Sequence, residues 1–203
     1  MTNYVLVHGG DRDGSIWNET ANLLRLQGHT VICPSMQSIT TASLQENIEQ
    51  IIEVIETNKL EQLILVGHSY GGVVITGVAD KLSDKITRLV YVDSAILKNG
   101  KSLYGTFQDY GFDYKKFGLT PDRACLDLLF FDERKFATQA KCYIRCLRSE
   151  FFKLITPMYE ELLANAQKDY WIIFCLDAQH GCMFTNPKEL AVIFSGLQVL
   201  PKA

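Results

Sequence analysis

Short, nearly continuous apolar runs alternate with longer stretches in which apolar residues return every three or four positions, almost from end to end of the chain. The short runs read as strands buried on both faces and the longer stretches as amphipathic helices, the pattern of a mostly parallel sheet with helices on both faces. Tyr4 to Val7 predicts a first strand; a helix around Trp17 to Gln27 follows, ended by Gly28, and a second strand runs from Thr30 to Cys33, stopped by Pro34. Ser43-Leu44-Gln45-Glu46 is a capping box, and Leu44, Ile48, Ile51, Ile52 and Ile55 recur behind it at helical spacing. Further strands are expected over Gln62 to Val66, Ile86 to Val92, Lys141 to Leu147 and Tyr170 to Leu176, about six in all. Asn186-Pro187 supplies an N-cap and a first-turn proline for a last helix ending near Gly196. No repeat, low-complexity tract or linker divides the sequence, so a single α/β domain over residues 1–203 is expected.

One segment, about 99–139, breaks the alternation. It offers no clear parallel strand, yet holds Tyr104, Phe107, Tyr110, Phe112, Tyr114, Phe117, Phe130, Phe131 and Phe136. An aromatic-rich insertion of this kind serves either as a cap over an apolar pocket or as a long loop anchored to the body by its rings.

Composition narrows the function classes. Hydrophobic residues make up 47%, charged residues 21%, and the formal charge is −3, which leaves no basic surplus for gripping nucleic acid. No apolar run approaches membrane-spanning length, and Met1-Thr2-Asn3 leads straight into the first strand, so a cytoplasmic protein is expected. The six cysteines show no C-x-x-C pairing and no histidine at zinc spacing, and neither a metal nor a disulfide framework is expected. Cys142 and Cys146 share a strand that separates them by about 13 Å, too far to bridge.

The chemistry concentrates at Gly67-His68-Ser69-Tyr70-Gly71, which follows the strand ending at Val66 and opens the apolar run Gly72 to Ala79. A strand, a tight glycine-flanked turn and a helix make the context of a nucleophile elbow, with Ser69 as the nucleophile. A serine hydroxyl needs a base, and of the four histidines His180 is the candidate, because it lies just past the last strand, at the carboxyl end of the sheet where sites in open α/β folds collect. An oxyanion needs donors: the Tyr70 amide at the helix start is one, and Gly10 in His8-Gly9-Gly10, just after the first strand, is the other.

With these residues in place the chain resembles the α/β-hydrolase family, and within it the small esterase-like members related to plant methylesterases and hydroxynitrile lyases. The likeness is carried by Val5-Leu6-Val7-His8-Gly9-Gly10, Gly28-His29-Thr30-Val31, Leu65 to Gly72, Leu89-Val90-Tyr91-Val92-Asp93, Tyr143-Ile144-Arg145-Cys146 and the His180 loop. It implies the α/β-hydrolase fold with a cap, a Ser-acid-His triad, and cofactor-free cleavage of esters or related acyl compounds.

The acid departs from the pattern. Such relatives usually carry an aspartate a few residues past the strand matching Lys141 to Leu147, and Ser149 stands there in this chain. Asp93, at the end of the strand Ile86 to Val92, is the first substitute, since some α/β-hydrolases take their acid from that strand; Glu150, one residue off the usual place, is the second. A chain with no functional acid is the third outcome, and would be a feeble enzyme or a small-ligand-binding scaffold. The hydroxynitrile-lyase relatives carry a lysine directly after the histidine where this chain has Gly181, which disfavours cyanohydrin cleavage. The expectation is a carboxylesterase acting on a small, largely apolar ester, with Ser69, His180 and Asp93 as triad and a homodimer compatible with, but not specified by, the sequence.

Overall fold

The computed structural model describes residues 1–113, 116, 122–166 and 170–199. Six strands, β1 (Asn3–Val7), β2 (Thr30–Ile32), β3 (Leu63–His68), β4 (Ile86–Val92), β5 (Lys141–Cys146) and β6 (Trp171–Leu176), form one sheet in the order β2-β1-β3-β4-β5-β6. Every pairing in that sheet is parallel. Strand residues alternate between two cores: Val5, Val7, Leu63, Leu65, Tyr91 and Tyr143 face one, and Tyr4, Leu6, Ile64, Val66, Cys142 and Ile144 the other. Burial on both faces is why these strands read as continuous apolar runs.

Helices α2 (Leu44–Thr57), α3 (Tyr70–Leu82) and α7 (Phe152–Asn165) contribute to the first core, while α1 (Asn18–Leu26), α8 (Cys182–Thr185) and α9 (Pro187–Gly196) pack on the second. The capping box at Ser43 forms in full, with Ser43 N–H donating to Glu46 Oε2 at 2.7 Å and Glu46 N–H to Ser43 Oγ at 3.1 Å. Gly28, at φ +86°, ends α1 in the left-handed conformation that glycine tolerates. Two details differ from expectation. Trp17 closes a 3-10 turn, Gly14–Trp17, before α1 begins, and Asn186 holds the start of α9 without a side-chain cap because its Oδ1 accepts from Thr185 Oγ1 at 2.7 Å. Helix α7, which carries Pro157 inside it, is not signalled by the apolar pattern.

Residues 99–139 contain α4 (Leu103–Asp109), α5 (Arg123–Leu126), α6 (Glu133–Thr138) and an antiparallel bridge between Lys101 and Leu129. Phe107, Tyr110, Phe112, Phe131 and Phe136 pack against the first core; Tyr114 and Phe117 lie outside the described residues. This segment grips the loop after β2, where Ala124 N–H donates to Ile39 O at 3.0 Å and Thr40 Oγ1 to Asp122 Oδ1 at 2.9 Å. A cavity of about 310 Å³ between α6 and α7, lined by Tyr110, Phe136, Met158 and Trp171 among others, contains neither Ser69 nor His180 in its wall. No helix among the described residues is long and apolar enough to cross a membrane.

Candidate active site

All the singled-out residues lie beyond the carboxyl ends of strands: His8 to Gly10 after β1, Ser69 after β3, Asp93 after β4, Ser149 and Glu150 after β5, and His180 after β6. Ser69 has φ 53° and ψ −123°, a strained conformation for a residue with a side chain. The turn is held tight by close approach: a Cβ on Gly67 would lie 2.5 Å from Gly71 O, and one on Gly71 would lie 2.5 Å from His8 O. Hydrogen bonds fix the Ser69 backbone on both sides. Its N–H donates to Val92 O at 3.1 Å, and its carbonyl accepts from Ser94 Oγ at 2.6 Å and from Gly72 N at 3.0 Å.

Tyr70 is the first residue of α3, so its amide has no partner one turn earlier within the helix and points out of the helix start together with the positive end of the dipole. Its side chain turns inward, where the hydroxyl accepts from Asn47 Nδ2 at 3.2 Å and burial pushes its pKa up. Gly10 follows β1, and a Cβ on it would lie 2.6 Å from Ile39 Cδ1, so the loop gripped by the 99–139 segment covers the Gly10 backbone.

His180 is fixed at three points. Its Nδ1–H donates to Asp93 Oδ2 at 2.7 Å, its backbone N–H donates to Glu150 Oε2 at 3.3 Å, and its carbonyl accepts from His68 Nε2 at 3.0 Å. The Phe151 ring meets it edge-on at 4.6 Å between centroids. Among the described residues its Nε2 makes no hydrogen bond, to Ser69 Oγ or to any other group. Unliganded sites commonly hold such pairs apart until substrate enters.

Asp93 is 1% exposed and, like Ser69, has a positive φ, 45°. Its other oxygen, Oδ1, accepts from Cys146 N at 3.3 Å, and its own N–H donates to Ile144 O at 2.8 Å. Of the two carboxylates the sequence offered, Asp93 reaches the imidazole and Glu150 reaches only the backbone of the same residue. Ser149 is buried and takes no part in holding the ring; its hydroxyl accepts from Phe151 N at 3.2 Å.

The remaining histidines are committed elsewhere. His8 donates from Nδ1 to Gly9 O at 2.6 Å and accepts Met36 N–H at Nε2 at 2.8 Å, and burial lowers its pKa. His29 accepts Thr2 N–H at 3.3 Å, near Gln198. The hold of His68 and Glu150 on the His180 backbone was not foreseen, since only tertiary structure brings these elements together. Among the described residues no group of three or more His, Cys, Asp or Glu gathers in a way that could hold a metal ion. The cysteines are all free: Cys175 is exposed, Cys33 half-buried and the rest buried.

Comparison with known proteins agrees with this architecture. The profile of the alpha/beta hydrolase family matches residues 4–140, which include Ser69 and Asp93. The chain is 41% identical over 111 residues to a carbendazim hydrolyzing esterase of Nocardioides sp. (strain SG-4G), covering 51% of this chain and 46% of that protein. It is 33% identical over 107 residues to Methylesterase 17 of Arabidopsis thaliana, covering 48% of this chain and 38% of the relative. The match thus spans under half the length of these curated relatives. Among solved structures, an extracellular alpha/beta-hydrolase from a Paenibacillus species superposes with a TM-score of 0.74 at 20% identity, covering 97% of this chain and 98% of the other. A pyrethroid hydrolase from Sphingobium faniae JZ-2 superposes with a TM-score of 0.76 at 16% identity, covering 98% of each chain. A parallel sheet in this strand order, with a strained serine between strand and helix and matching residues over two thirds of its length, identifies the chain as a member of the alpha/beta hydrolase family.

Proposed function

We propose that this chain is a serine carboxylesterase that cleaves a small, largely apolar ester through an acyl-enzyme. The observation that carries the reading is the buried Asp93 carboxylate, 2.7 Å from His180 Nδ1, on the strand next to the serine elbow. An acceptor at Nδ1 keeps the proton on that nitrogen and leaves Nε2 as a base. Ser69 Oγ attacks the ester carbonyl while His180 Nε2 takes the hydroxyl proton, and Asp93 stabilises the imidazolium that forms. The Gly10 and Tyr70 amides donate to the oxyanion. The C–O bond to the alcohol then breaks, and His180 returns the proton to the leaving alkoxide. Water, deprotonated by the same nitrogen, attacks the acyl group; the bond from the acyl carbon to Ser69 Oγ breaks, and His180 returns the proton to Oγ as the acid leaves.

The relatives named as esterases and methylesterases support ester cleavage, and the apolar Phe151 ring beside His180 supports an apolar substrate. In this reading residues 99–139 act as a cap, through their grip on the Ile39 loop above Gly10. The test is hydrolysis of short-chain nitrophenyl esters together with fluorophosphonate labelling. Turnover and labelling are expected in the parent chain, and both are lost in Ser69→Ala. Turnover that survives Ser69→Ala, or a parent chain that neither turns over nor labels, ends the esterase reading.

A further inference from the structure

His68, the residue before the nucleophile, contributes nothing to the triad, yet its imidazole is buried at 5% exposure in the heart of the site. Its Nε2 lies 3.0 Å from the His180 carbonyl oxygen. A carbonyl only accepts, so Nε2 carries the proton, and a neutral ring then leaves Nδ1 as a bare acceptor. That Nδ1 is buried and without a hydrogen-bond partner. Gly9 closes over it so closely that a Cβ there would lie 3.0 Å from Nδ1. The ring also lies 4.4 Å from the His180 ring, with the Trp17 ring edge-on at 6.4 Å.

Burying a polar ring with one nitrogen unpaired costs stability, and an aliphatic side chain of similar size would fold more cheaply at this position. What the imidazole supplies in return is a tie between two separate elements. Ser69 belongs to the β3–α3 turn and His180 to the loop after β6, and the hydrogen bond from His68 to His180 O joins the backbone next to one directly to the backbone of the other. We infer that His68 is a positioning residue that sets the distance between Ser69 Oγ and His180 Nε2, through its Nε2–H bond to the His180 carbonyl. The charge state of the ring suits that task. Burial, with His180, His8 and Arg12 as the nearby groups that disfavour a positive ring, holds its pKa well below the usual histidine value. The ring is therefore neutral and adds no positive charge against the imidazolium that forms on His180.

The kinetic arm of the test rests on the esterase reading, and the spectroscopic arm does not. His68→Gln keeps an N–H donor at about the reach of Nε2; His68→Leu removes it, and His68→Asn keeps a polar group too short to reach. Leu and Asn are expected to lower kcat by about 10- to 100-fold with KM within about twofold, since misplacement by about 1 Å at a reacting pair can cost that much, and Gln is expected to recover most of the rate. In NMR spectra the low-field proton shared by His180 Nδ1 and Asp93 is expected in the parent chain and in His68→Gln, and is lost to exchange in His68→Leu and His68→Asn. Nitrogen shifts of the parent chain are expected to show His68 neutral and protonated at Nε2. A His68 ring that is charged or protonated at Nδ1 at pH 7 overturns the inference. So does a folded Leu or Asn variant that retains both the low-field proton and the parent kcat. Failure of the esterase reading has a different signature, turnover insensitive to Ser69→Ala, and leaves the NMR result decisive.

Discussion

Replacing Asp93 by asparagine keeps the shape of a side chain that is 1% exposed and removes the charge 2.7 Å from His180 Nδ1. The surroundings decide how the amide sits. Cys146 N–H donates to Asp93 Oδ1, so the asparagine oxygen is drawn to that donor and its NH2 group is turned toward His180. An NH2 facing Nδ1 forces the imidazole proton onto Nε2, the nitrogen that accepts the proton of Ser69 in the proposed mechanism. The base is then in the wrong tautomer, a change that costs about 10⁴ in kcat, or about 5.4 kcal/mol of transition-state stabilisation. Glu150→Gln is the matched control, because Glu150 Oε2 only accepts the His180 backbone N–H at 3.3 Å and a glutamine oxygen can do the same. Its kcat is expected to stay within about threefold of the parent. Both variants are compared by nitrophenolate release at equal folded concentration. Retention of more than about a tenth of kcat in Asp93→Asn, or an equal fall in Glu150→Gln, would refute Asp93 as the group behind His180.

Two further outcomes follow from burial. Gly71→Ala puts a Cβ 2.5 Å from His8 O and 2.8 Å from Val7 O, backbone atoms that cannot swing aside, so a loss of about 2–3 kcal/mol in urea unfolding is expected, and an unchanged midpoint would show that the elbow has more room than the geometry allows. His8 is held below its ordinary pKa of 6.5 and His68 well below it, chiefly by burial, so the folded chain takes up these protons at lower pH than the unfolded chain does. Stability is accordingly complete above that value and falls as the pH is lowered from 7.5 to 5.5, with a limiting slope of about 1.4 kcal/mol per pH unit for each histidine; a flat urea midpoint over this range would contradict it.

The parts of the molecule legible in the sequence are those specified locally. Strands buried on both faces leave continuous apolar runs, and the elbow is encoded by glycines a few residues apart, so β1 to β6 and the Ser69 turn emerge within a residue or two of their observed limits. Helix α7 escaped for an equally local reason: Pro157 interrupts its pattern, and tertiary contacts, among them packing of Ile155, Met158 and Leu162 against the first core, support the helix. The sequence ranks Asp93 ahead of Glu150, with no functional acid as a third outcome, and nothing local decides further, because both carboxylates follow strands that end near His180. What separates them is direction: Asp93, at φ 45°, turns its carboxylate to the ring, whereas Glu150 meets the backbone. The three-point hold on His180 joins residues 68, 93, 150 and 180, and no sequence window contains it.

The β3–β4 ladder ends with His68 opposite Val92, and Ser69 and Asp93 are the next residue on each strand. The spacing of proposed nucleophile and acid is therefore inherited from the interval between neighbouring strands, about 4.8 Å, and owes nothing to loop length. Residues 69–93 amount to a cassette in which two members of the proposed triad travel together, and His180 is the part delivered from elsewhere. With the carboxylate that meets His180 Nδ1 housed there, the connection between β5 and α7 is released from supplying it, although its Glu150 still holds the His180 backbone. It becomes free to exchange residues in favour of shape, as Phe151 beside the imidazole already illustrates. Under the proposed mechanism, exchange of Phe151 changes the surroundings of His180 and leaves the Asp93 contact at Nδ1 in place.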